Sequence, residues 1–455
     1  MSKRLFFFLI FVFIIMWVTR LSAQSFVTPN QYGLRETRTD QERFWVLYKT
    51  HSEAVKKNCK VVYRDIDTLT IEIPDDGKTI PLSDVTDFGN TVVVVKNLSK
   101  DFTLFSMQNA LEKYNAEINQ IEERKRVIDT QKFILVIEDT VPWVRNRKGY
   151  TYGHQRRDIV YVDGGRVYGS VVSSYMTKES HPQFSRAFVK KNAKVFKNLT
   201  IIRDSISTYK TFVLRIDNQY NVKIKNIFIK TLSNKLYGDA ALRVENSYKV
   251  RLQNISIDGT YSQVDNYGYG ICMNSVSDID INRLKADANW GVFGNNNINN
   301  VRLKNCDINR FDIHCYGKDV SFENCVFRKL YNQFSSIYGK VSFKKCEFID
   351  FFPVLFESSY NAYTLFDLYF NKCVVYASQN RNCLIYGGNL DGGRTNGRSE
   401  LSQQTFPNLY IKGLTVYLPK DSNFFYIYRL SIGHLRWPKD SIPGVKVIKD
   451  LRYSE

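Results

Sequence analysis

Proline is scarce, 10 residues in 455, and glycine is ordinary at 24, so neither a collagen-like nor a linker-like chain fits. The eight cysteines contain no Cys-x-x-Cys pair, which leaves a zinc site without support. Past the N-terminal segment no apolar run reaches the length of a membrane helix. No RNA- or DNA-recognition motif is present, so nucleic acid is excluded as a partner. What the chain has in quantity is apolar and aromatic material: 44% hydrophobic residues, 29 Tyr and 31 Phe. That composition supplies a large core, argues against disorder and favours strands. Length alone suggests two or three domains, but a repeat fold can use it as one body.

The formal charge is +19, of which +16 lies beyond residue 23. A basic surface suits anionic partners such as acidic polysaccharide, or else is a dispersed, solvated face. Lys3 and Arg4 precede an unbroken apolar run from Leu5 to Val18, followed by Leu21-Ser22-Ala23. This reads as a signal peptide over residues 1–23, with no stable membrane insertion after its removal. The expected localisation is exported: periplasmic, cell-surface or secreted.

From residue 194 one pattern recurs: apolar, x, apolar, x, Asn, apolar, x, apolar. It is seen in KVFKNLTI (194–201), VKIKNIFI (222–229), VRLQNISI (250–257), IDINRLKA (279–286) and VRLKNCDI (301–308). VSFENCVF (320–327), VSFKKCEF (341–348), LYFNKCVV (368–375) and LYIKGLTV (409–416) continue it. Most successive units start 19 to 29 residues apart, a repeat that decides the architecture. Alternation with period 2 marks strands. The fifth place (Asn198, Asn226, Asn254, Asn305, Asn324) suits a left-handed bend, and stacked bends form an Asn ladder. The sixth and eighth places are apolar in every unit and point inward. Cys306, Cys325, Cys346 and Cys373 fall in one such column, where reduced, structural thiols are expected although a bridge between rungs is sterically open. A second strand series recurs as ALRVENS (241–247), GICMNSV (270–276), GVFGNNN (291–297), DIHCYGK (312–318), VLFESSY (354–360) and CLIYGGN (383–389). Nine units stacked about 4.8 Å apart make a rod roughly 40 Å long.

The pattern resembles the right-handed parallel β-helix of the pectin lyase-like superfamily over residues 190–420. That resemblance implies an all-β fold with an N-terminal helix and strand cap, and a carbohydrate-active or adhesin-type function. Asp40 to Lys57 looks like the cap helix, with Asp40 as candidate N-cap. The expected organisation is a cap region at 24–106, an excursion helix and the first rod strands at 107–190, coils at 191–420 and a C-terminal cap at 421–455. The catalytic strings of the polygalacturonases and pectate lyases are missing, so no family residue is carried over.

The site is therefore argued from geometry. Residues after the Asn bend alternate outward and place Asp258, Lys285, Asp287, Asp307 and Arg328 on one exposed face. Aspartates about 5 to 8 Å apart on adjacent rungs suit acid/base work on a glycosidic bond. Lys285 could act as the base of a β-elimination, and oxygens so placed could hold Ca²⁺, although no cofactor is required. A row of solvated charges is the bland alternative. Tyr261, Tyr267, Tyr269 and Trp290, in or beside long loops, could supply platforms for sugar rings. His314, an outward residue of the second strand series, could contact the substrate or shuttle a proton in an elimination, or be a plain surface histidine, since its expected neighbours Cys272, Phe293 and Ser336 include no matching base. The segment 144–158, VRNRKGYTYGHQRRD, is basic and aromatic and reads as an exposed loop or a grip on a polyanion. The leading reading is an exported protein that binds and cleaves a polysaccharide by hydrolysis or elimination; the alternative is a non-catalytic glycan binder.

Overall fold

The computed structural model describes residues 26–454 apart from internal segments, the longer ones being 97–101, 145–153, 204–210, 233–239, 259–268, 287–290, 358–364, 389–406, 419–424 and 440–446. The signal segment lies outside the described residues.

Strands from successive coils pair in parallel, each rung on the one before it. Lys194–Arg203 pairs with Tyr220–Thr231, and the latter with Ala240–Asp258. The pairing runs on through Tyr269–Ala286 and Gly291–Lys304 to Phe311–Glu323. Each coil presents three faces. The first is the strand before the Asn bend, as in Val222 to Lys225; the second is the strand after it, as in Ile227 to Lys230; the third is the second strand series, as in Leu242 to Glu245.

The bends are set by backbone chemistry. Asn198, Asn226, Asn254, Arg283, Asn305, Asn324, Lys345 and Lys372 all have φ between 52° and 64°. Asn visits this region at little cost because its short amide hydrogen-bonds locally. The amides also bond rung to rung: Asn226 Nδ2 donates to Asn198 Oδ1 and Asn254 Nδ2 to Asn226 Oδ1, both at 2.9 Å. Two further left-handed columns, which the repeat did not reveal, run through Asn218 and Asn246 and through Asn221 and Lys249.

Both inward columns are buried in every unit, from Leu199 and Ile201 to Leu414 and Val416. Cys306, Cys325, Cys346 and Cys373 are free and buried, with each Sγ near the carbonyl two residues back. Between them stack Phe322, Phe343 and Phe370, with centroids 4.7 and 5.2 Å apart.

Four sequence expectations are corrected. The N-cap of the Asp40–Lys57 helix is Thr39, not Asp40: Thr39 Oγ1 accepts from Glu42 N at 3.1 Å, and the Glu42 carboxylate accepts from Thr39 N at 3.0 Å. The first rod strands lie in the region expected to be the cap, not at 107–190: Lys60–Val62 and Thr68–Glu72 pair with Val85–Lys96, which pairs with Lys194–Arg203. Within 107–126 only Ile118–Glu122 is helical. Finally, the strands of 131–175 do not enter the rod. With Glu112–Lys113 and Pro182–Phe188 they form an antiparallel five-stranded sheet with its own core around Phe133, Leu135 and Val160. Its other side leans on the rod, where Tyr161 stacks on Tyr220 at 3.9 Å. Past residue 420, a hairpin of Tyr426–Ile432 and Leu435–Lys439 is followed by Val447–Ile448 and Leu451–Ser454, which pair in parallel with the rung before them.

Candidate functional site

On the second face, Asp258 and Lys285 are exposed, and Lys285 is in register with Asp307. Arg328, one rung further on, grips Asp307 with both prongs, Nε to Oδ1 at 2.8 Å and Nη2 to Oδ2 at 3.2 Å. Asp307 therefore sits against cationic neighbours on both sides. Asp287, Trp290, Tyr261 and Tyr267 lie outside the described residues. Among the described residues no three His, Cys, Asp or Glu side chains form a metal-binding group, and no helix is long and apolar enough to cross a membrane. The basic segment 144–158 is described only at its ends. There Arg156 is buried in an ion pair with Asp139 at 2.8 Å, and Arg157 holds Glu138 at 2.6 Å, both within the side sheet.

Tyr269 and His314 belong to the third face. The register shifts between Asn295↔Ile313 and Asn296↔Cys315, leaving His314 as the extra residue of a β-bulge. The bulge changes its neighbours from those expected. His314 Nε2 lies 3.1 Å from Tyr269 Oη and 3.8 Å from Asp312 Oδ2. Asp312 is fully buried and paired with Arg310, whose Nη2 also donates to Gln333 Oε1 at 2.9 Å. Tyr269 lies over Gly294, where a Cβ would come within 2.9 Å of its ring.

The densest polar arrangement on this face was not read from the sequence. Arg215 and Asp217 stand in register with Arg243 and Glu245 on the next rung. Arg215 Nε donates to Asp217 at 2.8 Å and Arg215 Nη2 to Glu245 at 3.2 Å. Arg243 Nη2 and Asn274 Nδ2 both reach Glu245 Oε1, at 2.6 and 3.1 Å, and Asn296 continues the row to Asn274 at 2.9 Å. The inward residues between them, Leu214, Ile216, Leu242 and Val244, are buried, so strand alternation fixes the outward set. A signal was available: LRID (214–217) and LRVE (242–245) repeat apolar-Arg-apolar-acid one coil apart.

The same outward column runs Ser106, Arg215, Arg243, Cys272, Gly294, Asp312. Five rung steps make a strip about 24 Å long. At its N-terminal end Ser106 and Gln108 border a cleft of about 630 Å³ between the rod, the end of the Asp40–Lys57 helix and the side sheet.

No protein-family model matches the chain, and no curated protein does. Solved structures do. The tailspike protein gp49 from Pseudomonas phage LKA1 aligns with 89% of this chain and 73% of its own, at a TM-score of 0.56 and 13% identity. The tailspike gp61 of Pseudomonas phage phi297 aligns with 93% and 84%, at 0.51 and 11%. This is the right-handed parallel β-helix fold. At such identities the likeness concerns the β-helix alone, and the chemistry rests on the residues present.

On the third face of this β-helix the two paired carboxyls are driven apart in acidity. Asp217 is only 6% exposed, and its Oδ1 meets no hydrogen-bond partner among the described residues. Burial pushes its pKa up to about 6; the Glu245 charge adds to this, and Arg215 offsets it only in part. Burial acts on Glu245 in the same direction, but hydrogen bonds from Arg243 and Asn274 with the charges of Arg243 and Arg215 outweigh it and hold that carboxyl below its usual value. Neighbouring carboxyls driven apart in this way are equipped as a proton donor and an anion.

Proposed function

We propose that the protein is an exported carbohydrate-active β-helix protein that binds a polysaccharide along its third face and cleaves it by hydrolysis. The observation that carries this reading is the Asp217–Glu245 pair on one guanidinium, with Asp217 shifted toward the protonated form. The row runs about 24 Å, and its accessible polar part, Ser106, Arg215 and Arg243, with Tyr269 bordering it further along, suits an extended chain better than a single small molecule.

In the proposed reaction Asp217 gives its proton to the glycosidic oxygen while the Glu245 carboxylate attacks the anomeric carbon. Water then hydrolyses the glycosyl-enzyme, with Asp217, now anionic, taking the proton. Rung neighbours are about 4.8 Å apart, a spacing that favours a nucleophilic carboxylate over an intervening water and hence retention of configuration. Arg215 and Arg243 keep Glu245 ionised and fix its direction.

The test is a polysaccharide panel scored for new reducing ends and for the ultraviolet absorbance of an unsaturated uronate, with proton NMR of the first-formed anomer. Reducing ends without that absorbance, with the anomer retained, support hydrolysis by the pair. Asp217→Asn and Glu245→Gln should each lower kcat by about 10²–10⁴-fold. The second face supplies a second reading, favoured by the exposure of Lys285 in register with Asp307: there Asp258, Asp287 and Asp307 would hydrolyse, or Lys285 would start an elimination. Loss of turnover in Asp287→Asn with Asp217→Asn unaffected selects that face. Binding without any product selects the non-catalytic glycan binder.

A further inference from the structure

We infer that the cleft at the N-terminal end of the third face is a binding subsite for a carboxylate-bearing sugar. This deepens the glycan-binding reading of that face by naming the chemical class of one unit. The cleft volume, about 630 Å³, lies within the ordinary range for small-molecule pockets. Its wall includes Ser106 and Gln108, neutral hydrogen-bonding side chains suited to hydroxyl groups, and Asn109, whose Nδ2 donates to the Phe188 and Asn218 carbonyls and leaves its Oδ1 as acceptor.

Its charged lining is two lysines against one carboxylate: Lys190, Lys194 and Asp84. Lys194 is the informative member. Its side chain is only 4% exposed, and its Nζ lies 3.0 Å from Asp84 Oδ2. An ammonium held at such depth is costly unless anions surround it. Asp84 is shared, because Lys190 Nζ also reaches its Oδ2 at 3.3 Å, while Lys190 takes Asn58 Oδ1 at 2.6 Å. One carboxylate thus serves two ammoniums, and the cleft carries a net positive charge beside its hydroxyl-binding wall. An incoming carboxylate would complete the pairing and bring its sugar hydroxyls onto Ser106, Gln108 and Asn109. Continuity with the strip through Ser106↔Arg215 and Gln108↔Asp217 places such a unit one rung from the proposed cleavage pair.

The probes are D-glucuronate, D-galacturonate and D-glucose, titrated into the full chain by calorimetry and ligand-observed NMR at low and high salt. The expected result is binding of at least one acid that weakens with salt, with no binding of glucose. Lys190→Ala, at a half-exposed side chain that leaves the core intact, should weaken the acid about tenfold. Asp84→Asn, which removes the competing carboxylate, should tighten it. Equal binding of glucose, no binding of either acid, or an Asp84→Asn variant that binds the acid more weakly while unfolding at the parent temperature would overturn the assignment. Because the readout is binding of a monosaccharide and not turnover of a polymer, any of these outcomes leaves the Asp217–Glu245 reading to its own test.

Discussion

Arg215 donates to Asp217 through Nε at 2.8 Å and to Glu245 through Nη2 at 3.2 Å, tying two carboxylates from successive rungs with one side chain. The planar guanidinium reaches both because rung spacing, about 4.8 Å, matches the spread of its donors. A lysine in its place would offer a point charge without the fork, so Arg215→Lys should reduce turnover even though it conserves charge. Initial rates of reducing-end release by the parent and the variant check this; equal rates would show that charge alone suffices.

The charge states of the pair set a pH profile. Glu245, held low, ionises first as pH rises and opens the active range. Asp217 must keep its proton, and its pKa of about 6 closes that range. Turnover should therefore peak on the acid side of neutrality and fall about tenfold per pH unit above about 6. The check is kcat/KM across pH 3 to 8, on the order of one point per half unit. A profile flat through pH 7 would remove Asp217 as the acid.

The same shift costs stability. Between the ordinary aspartate pKa and about 6 the folded state holds a proton that the unfolded state has released. Stability from this group is thus fully present in acid and is lost as pH rises through about 6, with an upper bound of roughly 3 kcal/mol by pH 7. Asp217→Asn should unfold at a higher temperature than the parent at pH 7, with the gain gone by pH 4, while it lowers turnover about 10²–10⁴-fold. Thermal unfolding of both proteins at the two pH values decides it; a loss of stability at pH 7 would mean that the Arg215 contact outweighs the burial.

How far the sequence revealed the molecule depended on whether local pattern or loop length set the geometry. The inward columns from Leu199 to Val416 were legible because a left-handed bend followed by period-2 alternation leaves one answer for each side chain. The third face was less so. Arg215 and Arg243 each lie 17 residues past their Asn bend, but the loops then change length, so Cys272, Gly294 and Asp312 of the same column lie 18, 11 and 7 residues past their bends and the column cannot be followed by counting. At His314 the bulge reverses alternation, and counting by twos assigned the wrong neighbours. The strands at 131–175 have the same period as rod strands, and only their partners, which pattern does not specify, place them in the antiparallel sheet.

The Asn ladder is testable at Asn254, where φ is 55° and Nδ2 donates to Asn226 at 2.9 Å. Asn254→Ala loses the ladder bond and puts a residue without asparagine's local amide hydrogen bond in a left-handed bend, at a combined cost of about 2 kcal/mol. Asn254→Gly keeps the bend accessible and should lose about 1 kcal/mol. Urea unfolding should rank the parent above the glycine variant and the glycine variant above the alanine variant. The reverse order of the two variants would show that the bend does not depend on left-handed tolerance.

Phe343 offers the same kind of test for the core. It is fully buried, between Phe322 and Phe370 on the rungs either side and edge-on to Phe348 at 5.2 Å. Removing the ring leaves a cavity lined by the rings of Phe322, Phe327, Phe334, Phe348 and Phe370, so Phe343→Ala should cost about 3–5 kcal/mol. In a stack where each rung touches only its neighbours, that loss need not spread evenly. Hydrogen exchange should accelerate in the strands Phe311–Glu323, Ile337–Lys344 and Leu365–Asn371, while Tyr220–Thr231 and Ala240–Asp258 keep their protection. Uniform acceleration from end to end would instead make the rod one cooperative unit, and the third face would then inherit damage from any rung, including those remote from Asp217.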